Sequence, residues 1–245
     1  MFKINFKEAT AIGGRTENQD SLGHWLSSDL VTQLFVVCDG MGGYKGGKMA
    51  STIAVEVIKN YVRMNRRNPN PQKILEEAIL EANSKILAKG KEYTSLEGMG
   101  TTAVALLFAD NKVIRAHVGD SRIYHLRNGD LVAGSGVTDD HSLVNELLKK
   151  KIITPEQAVN HPQKNVINRA LGIDEEVEVE LLEINNIQAG DYFLMCSDGL
   201  LSHISDSELL DILAKNPNPD TVAEVLVKEK IKTLSPSIES EKRQI

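Results

Sequence analysis

The sequence predicts an α+β domain in which antiparallel sheets are layered with helices. Three observations predict it. Four strand-like segments between residues 101 and 133 follow one another through connections short enough only for hairpins. Two helical stretches stand in succession ahead of them, and two more follow the last strand. Regular strand–helix–strand crossovers, the mark of a parallel sheet, are missing from the pattern.

In chain order, Phe2 to Thr10 reads as an opening strand, Gly13 to Asp20 as a loop, and Leu22 to Leu26 and Gln33 to Cys38 as strands. Gly40, Gly42, Gly43, Gly46 and Gly47 then make a corner around Tyr44 and Lys45. Ala50, Ile53, Ala54, Val57, Ile58 and Tyr61 recur at the i, i+3, i+4, i+7 spacing of a helix that buries one face. Asn68-Pro69-Asn70-Pro71 stops that helix. Leu75, Ala78, Ile79, Ala82 and Ile86 mark a second that returns antiparallel to it.

Thr101 to Phe108, Lys112 to Val118, Ser121 to Arg127 and Gly129 to Ala133 form a meander with turns at Ala109-Asp110-Asn111 and Asn128-Gly129. Residues 138 to 172 change character, with short helical stretches at Ser142 to Lys150, Pro155 to Val159 and Asn165 to Leu171. A polar insertion of this size between strands reads as the cover of a site. Strands resume at Val177 to Ile184 and Asp191 to Cys196, and helices at Asp206 to Ala214 and Asp220 to Leu234 close a single domain over residues 1–234. Residues 235–245 read as a polar, disordered tail.

Composition excludes several classes. At 245 residues and 41% hydrophobic content the chain can bury a full core. A net charge of -6 offers no basic footprint for nucleic acid, and the cluster Arg63, Arg66, Arg67 reads as a solvated helix end. No run approaches the roughly 18 apolar residues of a membrane span, and Met1-Phe2-Lys3-Ile4-Asn5 lacks the apolar core of a secretory signal, so a cytoplasmic protein is expected. Cys38 and Cys196 lie inside apolar runs and read as reduced core residues; histidine and cysteine show no zinc-ligand spacing.

Three apolar runs end at an aspartate: Phe35-Val36-Val37-Cys38-Asp39-Gly40, Ile114 through Val118-Gly119-Asp120, and Phe193-Leu194-Met195-Cys196-Ser197-Asp198-Gly199. Carboxylates brought to one edge of a core repel one another unless a cation lies between them. Hard oxygen ligands of this kind suit magnesium or manganese better than zinc.

Each signal is weak alone, and their order is specific. Gly14-Arg15-Thr16-Glu17-Asn18-Gln19-Asp20, Cys38-Asp39-Gly40-Met41-Gly42-Gly43, Gly98-Met99-Gly100-Thr101-Thr102, Gly119-Asp120-Ser121-Arg122, Asp140-His141-Ser142, Arg169-Ala170-Leu171-Gly172 and Cys196-Ser197-Asp198-Gly199 follow in that sequence. So ordered, the chain closely resembles the bacterial branch of the type 2C metal-dependent serine/threonine protein phosphatases, over residues 10 to about 230. The resemblance implies a four-layer sandwich of two antiparallel β-sheets flanked by antiparallel helix pairs. It implies two magnesium or manganese ions at one end, with Asp39 bridging both, the Gly40 carbonyl on one and Asp198 on the other. Asp20 would act through bound water, and Asp120 with Asp198 would hold a third, weaker ion.

The implied reaction is hydrolysis of phosphoserine and phosphothreonine in proteins. Two cations about 4 Å apart acidify a bridging water and neutralise the phosphate oxygens, so hydroxide attacks in line without a covalent intermediate. Arg15 is the candidate phosphate grip, since its planar fork matches phosphate oxygens better than an ammonium does. Phosphoproteins and a cognate serine/threonine kinase are the implied partners of a monomeric enzyme, with residues 140–172 as a flap.

The chain departs from the pattern in three places. Met41 stands where many eukaryotic relatives carry a histidine, and Gln19 where a glutamate is common. The family closes with a Gly-rich turn, an Asp-Asn pair whose Asp is a further ligand, and a final core strand. Here no Asp follows Asp220, so reduced activity and stability are expected. Two other functions compete: a phosphoprotein-binding module with a weakened metal site, and a phosphatase of small phosphate esters. His141, His161 and His203 are expected to cap or pack loops, and Met41 and Met99 to pack the corner.

Overall fold

The computed structural model describes residues 3–109, 111–202, 204–216 and 218–227. Nine strands form two antiparallel sheets among these residues. The larger carries β1 (Asp20–Leu26), β2 (Gln33–Met41), β4 (Ala103–Ala109), β5 (Lys112–Val118) and β8 (Glu180–Ile184) in that order, with the two-residue β3 (Gly100–Thr101) on β2. The smaller runs β7 (Asp130–Leu131), β6 (Arg122–Arg127), β9 (Tyr192–Cys196).

Strand periodicity builds the layers. All seven residues of β4 are buried, and they divide by parity. Ala103, Ala105 and Leu107 face a core shared with helices α1 (Gly43–Asn65) and α2 (Pro71–Glu92). Val104, Leu106 and Phe108 face the core between the sheets, where Phe35, Phe108 and Phe193 meet edge to face at centroid distances of 5.9 and 5.8 Å. A third core packs the smaller sheet, through Tyr124, Leu126 and Cys196, on Leu209 and Leu213 of α6 (Asp206–Lys215) and on Val222 and Leu226 of a helix over 219–227. Helix pair, sheet, sheet and helix pair are the expected four layers.

Local chemistry sets the element ends. Asn70 caps α2 by accepting from the Lys73 N–H at 3.0 Å, with Pro71 at the first helical position. Asn128 and Gly129, with φ of 54° and 90°, make the two-residue turn between β6 and β7. No helix among the described residues is long and apolar enough to cross a membrane.

Four expectations change. Residues 3–10 form no strand, although Ile4 and Phe6 turn inward between exposed Lys3, Asn5 and Lys7 as strand residues would. The stretch 165–171 is not helical. Ile167 instead bridges Ser142 within the insertion, and Leu171 bridges Thr101, which ties the insertion back to the body. The insertion keeps two helices, α3 (Leu143–Lys149) and α4 (Pro155–Val159). The fourth meander strand shrinks to Asp130–Leu131, and β8 begins at Glu180 rather than Val177. The end of the last predicted helix, the polar tail and His203 lie outside the described residues.

Candidate metal centre

Strand direction brings the aspartates together. Strands β2 and β5 both run antiparallel to β4, so they end at the same edge of the larger sheet. That places Asp39 near the end of β2 and Asp120 just past β5. Strand β1 runs against β2, and its first residue, Asp20, lies opposite Asp39 in register. Strand β9 delivers Asp198, the first residue of the short helix α5 (Asp198–Leu201), where it is exposed to solvent.

Burial and mutual repulsion dominate the electrostatics. Burial, then the charges of Asp20 and Asp198, a hydrogen bond shared with Asp198 and the charge of Asp120, push Asp39 up to about 9. Asp120 is pushed up to about 6 by burial and by Asp198 and Asp140. Among the described residues no lysine or arginine pairs with any of the four carboxylates. Arg122, near Asp120, commits its fork to Asp140 with two bonds of 2.7 Å. The Lys48 ammonium reaches the Asp20 backbone carbonyl at 2.7 Å and the Ser21 hydroxyl at 3.1 Å. Four converging acids to which no lysine or arginine bonds among the described residues are a donor set that fits hard divalent cations.

The backbone around the acids is tightly fixed. The Asp39 N–H donates to the Thr102 hydroxyl at 3.0 Å, and the Asp39 carbonyl accepts from the Thr102 N–H at 2.9 Å and the Thr101 hydroxyl at 2.8 Å. A side chain at Gly40 would meet the Gly47 carbonyl oxygen at 2.0 Å, so only glycine lets the corner close this far. The Ser197 hydroxyl, at the helix cap position, donates to the Asp20 carboxylate at 3.0 Å instead of capping α5. Asn18 accepts from the Asp20 N–H at 3.0 Å.

A sequence profile described as protein phosphatase 2C matches residues 9–234. The chain belongs to the protein phosphatase 2C family. It is 37% identical over 216 residues to the serine/threonine phosphatase stp of Listeria welshimeri, covering 87% of this chain and 84% of the relative. The crystal structure of the serine/threonine phosphatase Stp1 from Staphylococcus aureus superposes with a TM-score of 0.77 at 32% identity, over 89% of this chain and 85% of that one. The catalytic domain of the serine/threonine protein phosphatase PstP, crystallised in complex with two manganese ions, superposes with a TM-score of 0.72 at 33% identity, over 89% and 86% of the two chains.

In this phosphatase-family chain, Arg15 stands apart from the acids' bonding network. It is exposed on the loop before β1, and its guanidinium forms no hydrogen bond or ion pair among the described residues. Sequence reasoning did not single out Ser197, Thr102 or Lys48 as supports of the carboxylates; each has an ordinary residue type and acts only through the fold. Met99 is buried in the helix-side core, and His161 accepts the Gln163 N–H at 3.2 Å, so both pack or cap as expected.

A compact ligand-like cluster lies elsewhere. His117, His141 and Glu180 bring their ligand atoms within 4.8 Å of one another. Several of their atoms are otherwise engaged, while His117 Nδ1 has no hydrogen-bond partner among the described residues. His117 Nε2 lies 2.8 Å from the Asp139 carbonyl, His141 Nδ1 accepts the Gly119 N–H at 3.1 Å, and the Arg169 guanidinium lies 3.3 Å from His141 Nε2. The two rings stack at 4.4 Å, and burial, His117 and Arg169 hold His141 down to about 4. The stack, braced by an arginine, props the Gly119–Asp120 turn.

Proposed function

We propose that this chain is a metal-dependent protein serine/threonine phosphatase, hydrolysing phosphoserine and phosphothreonine esters. The observation that carries the reading is the convergence of Asp20, Asp120 and Asp198 on Asp39, whose carboxyl is held up to about 9 by burial and by their charges. Asp39, Asp198, Asp20, Asp120 and the Gly40 carbonyl would hold two magnesium or manganese ions and a weaker third. When bound, such ions neutralise phosphate oxygens and acidify water for in-line attack.

The chain's own residues do the positioning. Ser197 and Asn18 fix Asp20 from two sides, and the Thr101–Thr102 hydroxyls fix the Asp39 backbone. Arg15, exposed and uncommitted, is free to take phosphate oxygens with its fork. The neighbouring cysteines are not nucleophiles: both are buried and free, with burial raising Cys38 and pushing Cys196 up to about 12.

Protein substrates suit the flap of residues 140–172, which carries exposed Ile152, Val159 and Val166 beside Lys149 and Lys151. In this reading the domain spans residues 1–234, acts as a cytoplasmic monomer and reverses a serine/threonine kinase. The test is hydrolysis of a phosphothreonine peptide over a manganese titration, beside a small aryl phosphate. Peptide turnover that chelator and Asp39→Asn both abolish, and that exceeds aryl phosphate turnover in kcat/KM, is expected. A folded chain inactive at millimolar manganese, or one that prefers the aryl ester, overturns the reading.

A further inference from the structure

Three side chains far apart in the sequence, His117, His141 and Glu180, meet beside the Gly119–Asp120 turn, with one ligand atom of each within 4.8 Å of the others. The fold supplies the meeting. His117 on β5 lies opposite Glu180, the first residue of β8, in register. His141, early in the insertion, is pinned to the turn twice. Its N–H donates to the Gly119 carbonyl at 3.0 Å, and its Nδ1 accepts the Gly119 N–H at 3.1 Å.

Distances decide what such a cluster fits. Glu180 Oε2 lies 3.4 Å from His141 Nε2 and 3.9 Å from His117 Nε2. Ligands of a tetrahedral zinc ion, each about 2.0–2.1 Å from the metal, stand about 3.4 Å from one another, so two of the three pairs are within about 0.5 Å of that edge. Two imidazoles and a carboxylate are a zinc-type set, with nitrogen where the four aspartates offer only oxygen. The Asp139 carbonyl, 2.8 Å from His117 Nε2, borders the fourth position. Glu180 is partly exposed, which leaves a way in from solvent, and burial keeps both rings neutral, as ligation requires.

The proton positions make binding consequential. A backbone N–H only donates, so His141 Nδ1 holds the lone pair and its Nε2 carries the ring proton. The Asp139 carbonyl only accepts, so the His117 proton is also on Nε2, and its buried Nδ1 is left without a partner among the described residues. A cation that takes both Nε2 atoms sends each ring's one proton to Nδ1. At His117 an unpartnered acceptor becomes an unpartnered donor. At His141 the new Nδ1–H faces the Gly119 N–H, donor against donor, and that bond is lost. The Arg169 guanidinium, 3.3 Å from His141 Nε2, has to swing away with Glu178, its partner at 2.7 Å. These two costs place the affinity below that of a closed structural zinc site.

We propose that His117, His141 and Glu180 form a second cation site, for zinc, whose occupancy releases the Gly119 N–H and loosens the turn that carries Asp120. Magnesium and manganese, which prefer oxygen, belong to the four aspartates; a nitrogen-preferring ion is bound at the stack and felt at Asp120. The site does not rest on the phosphatase reading, since its binding is measured without turnover.

The experiment uses the full chain carrying Asp39→Asn, which lacks the central carboxylate of the other site. Zinc is titrated against a chromophoric chelator, and cobalt serves as its visible stand-in. One zinc bound in the micromolar range is expected, with the strong visible bands of nitrogen-ligated tetrahedral cobalt. Adding Glu180→Gln, or His141→Asn, which keeps an acceptor near the Nδ1 position for Gly119, is expected to weaken that zinc about tenfold or more. Amide exchange at Gly119 is expected to run about tenfold faster with zinc, and to ignore zinc once Glu180→Gln is present. Equal zinc affinity with and without Glu180→Gln overturns the proposal and puts the ion on the aspartates. A Gly119 amide as slow with zinc as without it overturns the proposal too. Should a melt show either added variant unfolded, the cobalt spectrum and the Gly119 exchange of the Asp39→Asn chain decide alone.

Discussion

Asp39 makes the metal-free protein lose stability as pH rises. Its carboxyl keeps its proton to about 9 in the folded chain, against an ordinary value of 3.8 when unfolded. Between those values the folded state binds more protons than the unfolded state, so stability falls with rising pH at up to about 1.4 kcal/mol per unit for that one proton. The useful window is pH 7.5 to 8.5. His117, His125 and His141 are held below their ordinary value by burial, so they oppose this slope only in the more acidic range, and Asp120, at about 6, has already ionised. Chemical denaturation of chelator-treated protein at both pH values, wild type against Asp39→Asn, isolates the effect and cancels the thiols. Wild type is expected to lose about 1 kcal/mol more than the variant across that unit. Saturating manganese is expected to remove the difference, since the carboxylate is then ionised in both states. Equal slopes for wild type and variant without metal would refute the reasoning.

Four further substitutions have stated outcomes. Gly40→Ala places a carbon 2.0 Å from a backbone oxygen and is expected to cost about 3 kcal/mol in a denaturant melt. Gly14→Ala, which meets nothing within 4 Å, should change stability by under about 0.5 kcal/mol. Arg15→Ala should lower kcat/KM on a phosphopeptide about 100-fold without moving Tm, with Arg15→Lys recovering only part; a fall in Tm would show a structural role. Arg122→Ala strips a two-pronged partner from Asp140 and a 3.2 Å contact from Asp206, and should cost about 2 kcal/mol, measured by denaturation with Asp140→Asn as the reciprocal change.

Elements whose burial is decided by their own pattern were legible in the sequence. The two long helices show their stripes, and β4 is a continuous apolar run. Elements decided by a distant partner were not. Residues 165–171 have the composition of a short helix, but Ile167 and Leu171 are held extended by Ser142 and Thr101. Residues 3–10 have the alternation of a strand and no pairing strand among the described residues. Within the site, the acids stood out because they end apolar runs beside glycines. Away from the site, the buried polar residues Arg115 and His125 did not, since nothing in a linear pattern says that a buried arginine finds the Ser135 carbonyl at 3.0 Å or that a buried histidine lies against the Ser135 hydroxyl at 2.8 Å.

Strand β9 leads into the carboxylate cluster. It continues through Cys196 and Ser197 to Asp198. The Ser197 hydroxyl bonds Asp20, and the Asp198 carboxyl shares a hydrogen bond with Asp39, so the end of this strand is tied to both carboxylates. A cation held by these acids would fix that end further. Manganese should therefore slow exchange of the β9 amides relative to chelator-treated protein, and exchange indifferent to manganese would refute the coupling.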